Sequence, residues 1–380
     1  MKILFVTHYS QLLGANRSLL HLIRGLRDRY GVEATVWCPS EGELTETLRA
    51  ERFRYRCAPF ANWAYSLRSL GLWTFPFRWL RSRWGVLPGL LRIAESEQFD
   101  WIYSNSIAVS LGWQLAEPLS MRHAWHLREL GSSDWLIFPL GKNFLQKKLA
   151  SAQRLIAISG AVRDAHPACA KTLTRVVYNG VGDRAAFERR RAGAESRVRD
   201  GVFRLISVGL IHPSKAQHEA IEAFALLHRK YPQTRLVIVG DGRKTYLRRL
   251  KTLAERLAPE AIEFTGYVRN PDPLFAASDA LVFCGRNEGM GRVIAEAMSY
   301  GLPVLRYRDR GAEELIRDGY NGYLYDDVAQ LSAQMELLTA QPAHREAMGR
   351  NAWDFAYRHF TDEAYVSAVW EFLNASLSTP

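Results

Sequence analysis

At 380 residues the chain is long for one hydrophobic core and comfortable for two. Its 48% apolar and 23% charged residues are the balance of an ordinary globular protein. The formal net charge of +11 asks for an anionic partner. No zinc-finger, RRM-like or helix-turn-helix pattern is present, so nucleic acid ranks behind an acidic membrane surface or anionic substrates.

The chain opens with a short apolar strand over residues 2–7 and a polar loop from His8 to Gly14. Leu19, Leu20, Leu22, Ile23 and Leu26 then follow helical spacing to about Gly31, and Ala34 to Cys38 is the next strand. Strand, glycine loop, helix and strand in that order signal a parallel Rossmann-like half. The apolar start is too short for a signal peptide, and no segment approaches the ~20 apolar residues of a membrane span. A soluble or peripheral protein is expected. Cys38, Cys57, Cys169 and Cys284 are scattered, without Cys-x-x-Cys spacing or neighbouring histidines. That argues against a disulfide framework or structural zinc and fits a reducing cytosol.

From Trp63 to Arg92 the composition changes. Trp63, Tyr65, Trp73, Phe75, Phe77, Trp79 and Trp84 alternate with Arg68, Arg78, Arg81, Arg83 and Arg92, and no acidic residue intervenes. Such interleaving suits contact with anionic headgroups. The plainer alternative is a helix that packs its aromatics inward and turns its arginines to water.

Asp100 to Asn105 is a strand with a polar end, and Ala124-Trp125-His126-Leu127-Arg128-Glu129 follows. A lone histidine is more often structural than catalytic. Arg128 could face a phosphate or pair with Glu129. Further strands are expected at Arg154–Ser159 and Val176–Val181. Residues 183–200, rich in Arg, Glu and Ala, suit an exposed crossover. The second half opens with the buried-strand run Phe203–Val208, ending in Gly209. Lys215 stands just before a helix from Gln217 to Arg229. Leu236–Val239 leads into Gly240-Asp241-Gly242, and Ile262–Thr265 into Gly266-Tyr267-Val268.

The densest signal is Asn287-Glu288-Gly289-Met290-Gly291-Arg292-Val293-Ile294-Ala295-Glu296, closed by Gly301-Leu302-Pro303. The apolar run before it is short enough for a buried strand, and Gly301 with Pro303 is a helix stop. Gly289-Met290-Gly291 thus forms a tight strand-to-helix turn whose backbone N–H groups can approach an anion. Glu288 and Glu296 would repel a phosphate, so sugar and ribose hydroxyls are their natural partners. The alternative is a glycine turn before a surface helix with solvated glutamates.

The Glu-x7-Glu pair of Glu288 and Glu296, with Gly-Met-Gly-Arg-Val-Ile inside and Gly-Leu-Pro-Val after, resembles the retaining, nucleotide-sugar-dependent glycosyltransferases of family 4. Met290 stands where that family usually has Phe. The resemblance implies an α/β fold of two Rossmann-like domains facing across a cleft, the GT-B arrangement. It is dense from Val176 to Gly322, where Gly311–Ile316 and Asp318–Gly322 complete the pattern, and sparse before. It implies domains at 1–182, with the acceptor, and 202–360, with the donor, a linker at 183–201, and a helix over 361–380 crossing back. Gly14, Gly209, Gly266, Tyr267, Val268, Gly289, Met290, Gly291 and Glu296 would bind the donor, Glu296 at its ribose. His126, Lys215 and Glu288 would carry catalysis: the histidine at the sugar or phosphate, the lysine on the diphosphate, the glutamate at sugar hydroxyls. Many relatives have arginine where Leu210 stands, so either His212 or Arg128 replaces it or the donor is held differently. With no Asp-x-Asp motif, no metal or other cofactor is expected. Partners would be a nucleotide sugar, a glycan or lipid-linked acceptor and an anionic membrane surface through Trp63–Arg92, with no nucleic acid. The setting would be cytoplasmic, at the inner membrane face, in bacterial surface polysaccharide synthesis. A nucleotide-sugar epimerase and a non-catalytic nucleotide-sugar-binding partner are the alternatives.

Overall fold

The computed structural model describes residues 1–64, 73–131, 138–196 and 200–375, which divide into two α/β units. The first runs from Met1 to Gly180 and resumes at Asp362; the second spans Val181–Thr361.

In the first unit, β1 (Lys2–Val6), β2 (Glu33–Cys38), β3 (Arg54–Cys57), β4 (Trp101–Ser104), β5 (His123–Leu127), β6 (Arg154–Ala157) and β7 (Thr174–Val176) form one parallel sheet. The strand order is β3-β2-β1-β4-β5-β6-β7. Burial on both faces explains the unbroken apolar run in β1: Ile3 and Phe5 enter one core, Leu4 and Val6 the other. Helix Gly14–Tyr30 packs Leu19, Leu22, Ile23 and Leu26 on the first of these and ends at Gly31, whose φ of 63° closes the helix with a left-handed cap.

Helix Asp362–Asn374 joins this unit by lying against helix Gly14–Tyr30. Asp362 bonds His21 at 2.6 Å, and Trp370 stacks on Tyr30 with ring centroids 4.5 Å apart. A Cβ on Gly25 would stand 2.5 Å from Val366, so glycine sets that close approach.

The second unit has β8 (Phe203–Val208), β9 (Thr234–Val239), β10 (Ile262–Gly266), β11 (Ala280–Phe283), β12 (Val304–Tyr307) and β13 (Gly322–Tyr325) in the order β10-β9-β8-β11-β12-β13, again parallel. In both sheets the strand order reverses once, between β1 and β4 and between β8 and β11. Such switch points open crevices at the carboxyl ends of the strands, where ligands bind in folds of this class.

Residues 184–195, expected as part of a crossover, form a helix with one buried anchor. Asp183 caps helix Arg184–Glu195 by accepting from the Ala186 N–H at 2.6 Å, and Phe187 is fully buried against Tyr357 within the second unit. One phenylalanine anchors a helix whose average composition is polar.

The aromatic–arginine stretch divides. Trp63 is buried, stacked on Trp125 at 5.7 Å, and Phe75 is buried too. Trp79 lies half-buried between Phe75 and Trp113. Trp73, Phe77 and Trp84 face outward. Tyr65 and Arg68 lie outside the described residues. The helical run Phe75–Glu97 passes through a π-helical turn at Ser82–Val86, just ahead of Pro88, whose missing N–H interrupts the regular ladder.

Two of the scattered cysteines become neighbours. The β2–β3 register sets Cys38 beside Cys57, with Sγ atoms 3.5 Å apart and both thiols free. Among the described residues no helix is long and apolar enough to cross a membrane.

Candidate functional site

In the second unit the selected residues collect at the carboxyl ends of β8 to β11. Gly209 follows β8 with φ 148°, and its N–H bonds the Val239 carbonyl at 2.9 Å. Ile211 bonds the Asp241 carbonyl at 2.8 Å. A Cβ on Gly240 or Gly242 would sit 1.9 Å from the carbonyl oxygen of Gly209 or Ile211. These two glycines are therefore required by backbone packing, a need as stringent as any ligand's. Gly266, with φ 73°, ends β10 and accepts from the Gly240 N–H at 2.8 Å. Tyr267 beyond it is 64% exposed, and Val268 half-buried.

Lys215 ends a 3-10 turn, Pro213–Lys215, that His212 caps by accepting from the Ser214 N–H at 3.2 Å. The loop after β11 crosses this turn, where the Arg286 N–H meets the Ser214 carbonyl at 3.3 Å. The crossing brings the Lys215 ammonium onto the Glu288 carboxylate as an ion pair, with side chains 23% and 25% exposed. Sequence placed these two on different parts of a ligand; the fold pairs them 73 residues apart. Glu288 is backed by Gly311, where a Cβ would come 2.6 Å from the Glu288 carbonyl.

Met290 is buried, an apolar plug within the Gly289-Met290-Gly291 turn. Gly291, at φ 69°, caps helix Arg292–Met298. That helix has only 7 residues, so its dipole is small and Lys215 is the larger positive feature at this end. Arg292 donates through Nε to Glu296 Oε1 at 2.8 Å, one turn along the helix. Two further arginines went unnoticed in the sequence. Arg286 lies 3.8 Å over the Tyr307 ring and bonds Glu219 at 2.6 Å. Arg306, fully buried, bonds Asp309 at 3.2 Å and the Gly311 carbonyl at 3.3 Å. No periodicity marks an arginine inside a strand as a brace.

The first unit carries a second polar cluster at the ends of β1, β4 and β5. Gly14 opens its helix, and a Cβ there would meet nothing within 4 Å. Asn16, fully buried, ties the preceding loop together: its Oδ1 accepts from Thr7 at 2.6 Å, and its Nδ2 donates to the Tyr9 and Gln11 carbonyls. Arg128 answers the question left by the sequence. Its guanidinium donates to Asn105 Oδ1 at 2.7 Å, to Asn179 Oδ1 at 2.7 Å and to Tyr365 at 3.4 Å. The Glu129 carboxylate instead accepts from Ser106 at 2.5 Å and from the Ile107 N–H at 3.2 Å. In this arrangement His212 caps a turn and Arg128 is bonded to amide oxygens.

His126 has no solvent exposure, and its Nδ1 lies 2.6 Å from the Tyr103 hydroxyl and 3.2 Å from an Arg128 nitrogen. Arginine can only donate, so Nδ1 accepts and the ring proton belongs on Nε2. Among the described residues Nε2 has no hydrogen-bond partner. Burial first and the Arg128 charge second hold its pKa well below the usual histidine range. His126 is therefore a neutral ring with one N–H left to give.

Comparison with known proteins agrees with both halves. The profile for glycosyltransferase family 4 matches residues 13–183, and that for glycosyl transferases group 1 matches residues 188–354. The chain belongs to the family-4 glycosyltransferases. A putative glycosyltransferase, EpsD, of Bacillus subtilis is 32% identical over 192 residues, half of each chain. An N-acetyl-alpha-D-glucosaminyl L-malate synthase of Bacillus anthracis is 30% identical over 200 residues, 51% of each. The matched stretches thus span about half the length of these relatives. Among solved structures, Anabaena HepE in complex with UDP and glucose has a TM-score of 0.75 at 24% identity, covering 99% of this chain and 100% of that one. A glycosyltransferase of Rickettsia africae reaches 0.79 at 15% identity, covering 100% and 99%. The two parallel-sheet units are those of the GT-B fold.

Proposed function

We propose that this protein transfers a sugar from a nucleoside-diphosphate donor to an acceptor hydroxyl with retention at the anomeric carbon. The Lys215–Glu288 pair at the switch point of the second sheet carries the reading. As the anomeric C–O bond breaks, negative charge grows on the departing diphosphate. A positioned ammonium stabilises that charge where it forms. Glu288 holds Lys215 until the donor arrives, then accepts from sugar hydroxyls while the lysine turns to the phosphates. The Gly289–Gly291 backbone N–H groups add donors to the same diphosphate, and Glu296, steadied by Arg292, takes the ribose. His126 gives its Nε2–H to a donor oxygen as a neutral hydrogen-bond donor, since its low pKa makes it a poor proton acceptor.

Same-face attack sets the acceptor hydroxyl beside the departing phosphate oxygen, which can receive its proton. With no Asp-x-Asp motif, lysine and backbone take the role a divalent cation would otherwise have, and the donor is held without metal. The acceptor is a glycan or a lipid-linked sugar presented at the cytoplasmic face of a bacterial membrane, in polysaccharide or glycolipid synthesis. HepE, crystallised with UDP and glucose, supports a UDP-type donor.

The exposed Leu210, where the resembling family carries arginine, favours a second reading: a nucleotide-sugar-binding partner without turnover. Calorimetry against UDP, GDP, ADP and their sugar conjugates, without metal and then with magnesium, decides. Metal-free binding of one diphosphate, with slow hydrolysis of its sugar conjugate, supports the transferase. Binding without any turnover supports the partner, and no binding removes both.

A further inference from the structure

Between Glu51 and Glu95 the chain has no acidic residue, while Arg78, Arg81 and Arg83 fall on one helical segment of it. On that segment Phe77, Leu80 and Trp84 are 80%, 54% and 73% exposed, and Trp73, just ahead of it, is 85% exposed. Phe77 and Leu80 stand three residues apart on one face of the helix, Trp84 follows four later in the π-helical turn and Trp73 precedes Phe77 by four, so the exposed side chains form a continuous row in sequence. The other large exposed apolar side chains, such as Leu13, Leu173 and Tyr320, are scattered singly along the sequence. An outward row of two tryptophans, a phenylalanine and a leucine is more than an ordinary surface carries, and it marks an interaction face. The opposite side is already used: Phe75 is buried, and Trp79 packs toward Trp113.

Arg78 and Arg81 turn from this row to line a cavity of about 440 Å3, which they share with His8, Ser10, Ser40 and Asn62. An apolar ridge beside a cationic hollow has the chemistry of an amphiphile that bears a phosphate.

We propose that this helix seats the protein on an anionic bilayer. Trp73, Phe77, Leu80 and Trp84 enter the headgroup–acyl boundary, and Arg78 and Arg81 draw a lipid phosphate toward the cavity. Charge selects this occupant. A second copy of the chain docking through the same face would bring arginines against arginines with no carboxylate between them. Nucleic acid would stack on the rings but gain little from Leu80. A bilayer uses every member of the row, because aromatic side chains settle at its interface and arginines at its anionic surface. The inference deepens the acceptor half of the proposed function, yet it stands on the first unit alone.

Flotation with vesicles tests it on the full chain. The protein should bind phosphatidylglycerol/phosphatidylcholine vesicles at least tenfold more strongly than pure phosphatidylcholine, and less at high salt. The triple variant Trp73→Ser, Phe77→Ser, Leu80→Ser should lose tenfold or more on both, and Arg78→Gln with Arg81→Gln should lose only the preference for phosphatidylglycerol. Nucleotide-induced thermal shifts of the same samples show whether each variant is folded, and they report the donor site independently. No vesicle binding by the wild type, or full binding by a folded triple variant, overturns the proposal. So does an oligomer that the triple variant dissolves, or tight binding of single-stranded DNA that it abolishes.

Discussion

His126 and Arg128 in the first unit are 0% and 9% exposed, and amides and hydroxyls hold them in place. Lys215, Glu288, Arg292 and Glu296 in the second keep 15–25% of their side chains in solvent, and each carboxylate has a cation. The first arrangement is fixed before any ligand comes. Nothing charged in it must be exchanged, and His126 Nε2, unpartnered among the described residues, needs no rearrangement to act. The second is made of bonds whose partners can be swapped. Ion pairs that share solvent contribute little net stability, so replacing a carboxylate by a phosphate on the same lysine costs little. Under the proposed function, the exchangeable charges of the second unit suit gripping and releasing a charged diphosphate.

The comparison breaks first at Lys215. Lys215→Gln should lower kcat by roughly 100- to 1,000-fold, the usual effect of removing one donor from developing negative charge. Folding should survive, because the pair it leaves is partly solvated. Single-turnover kinetics with circular dichroism separate the two. A variant that keeps wild-type turnover would show that the lysine only tethers Glu288.

Acid should act on the first unit before the second. Burial lowers the pKa of His8 and His123 there to about 3, with the Arg128 charge adding to the effect at His8. Unfolded histidine takes up a proton near pH 6.5, so below that the unfolded chain binds protons that the folded one refuses. Stability is therefore full above pH 6.5 and falls toward pH 3, by up to ~1.4 kcal/mol per pH unit for each ring. Hydrogen exchange at pH 7 and pH 5 should find β1, β4 and β5 losing protection first. Equal loss in β8 and β11 would contradict the assignment.

His126→Ala should cost roughly 10- to 100-fold in kcat/KM, the loss of one hydrogen bond from a buried donor. The wild-type pH profile should show no acid limb near 6.5, because the ring is already neutral there. Such a limb, abolished in the variant, would make His126 a general base instead.

Much of this was legible in the chain because α/β folds leave strong marks. Strands buried on both faces write themselves as runs such as Leu236–Val239, and the turns after them end in glycine. What stayed hidden depends on register and side-chain reach. Cys38 and Cys57 are 18 residues apart in intervening sequence and side by side in space only because β2 and β3 pair there. Lys215 and Glu288 were each legible by motif, but their ion pair follows from one backbone bond between Arg286 and Ser214. The guanidinium of Arg128 lies on Asn105 and Asn179 and not on the neighbouring Glu129, because those amides come from other strand ends. The helix at 184–195 was missed because its one large apolar residue, Phe187, stands among charged residues and alanines.

Leu210 is where the exchangeable side can be sharpened rather than broken. It follows the first strand of the second unit and is 60% exposed, so an arginine fits there without a cavity or a clash. If nucleoside diphosphates bind beside Lys215, Leu210→Arg adds a second cation at a part-solvated site. Screening limits the gain to about 1 kcal/mol, or three- to tenfold in Kd, and it should shrink as salt rises. Titration of UDP at low and high ionic strength reads this directly. Unchanged affinity at both, in a protein of unchanged Tm, would place the phosphates away from the loop after β8 and shift the charge-bearing role toward Arg286 and Arg292.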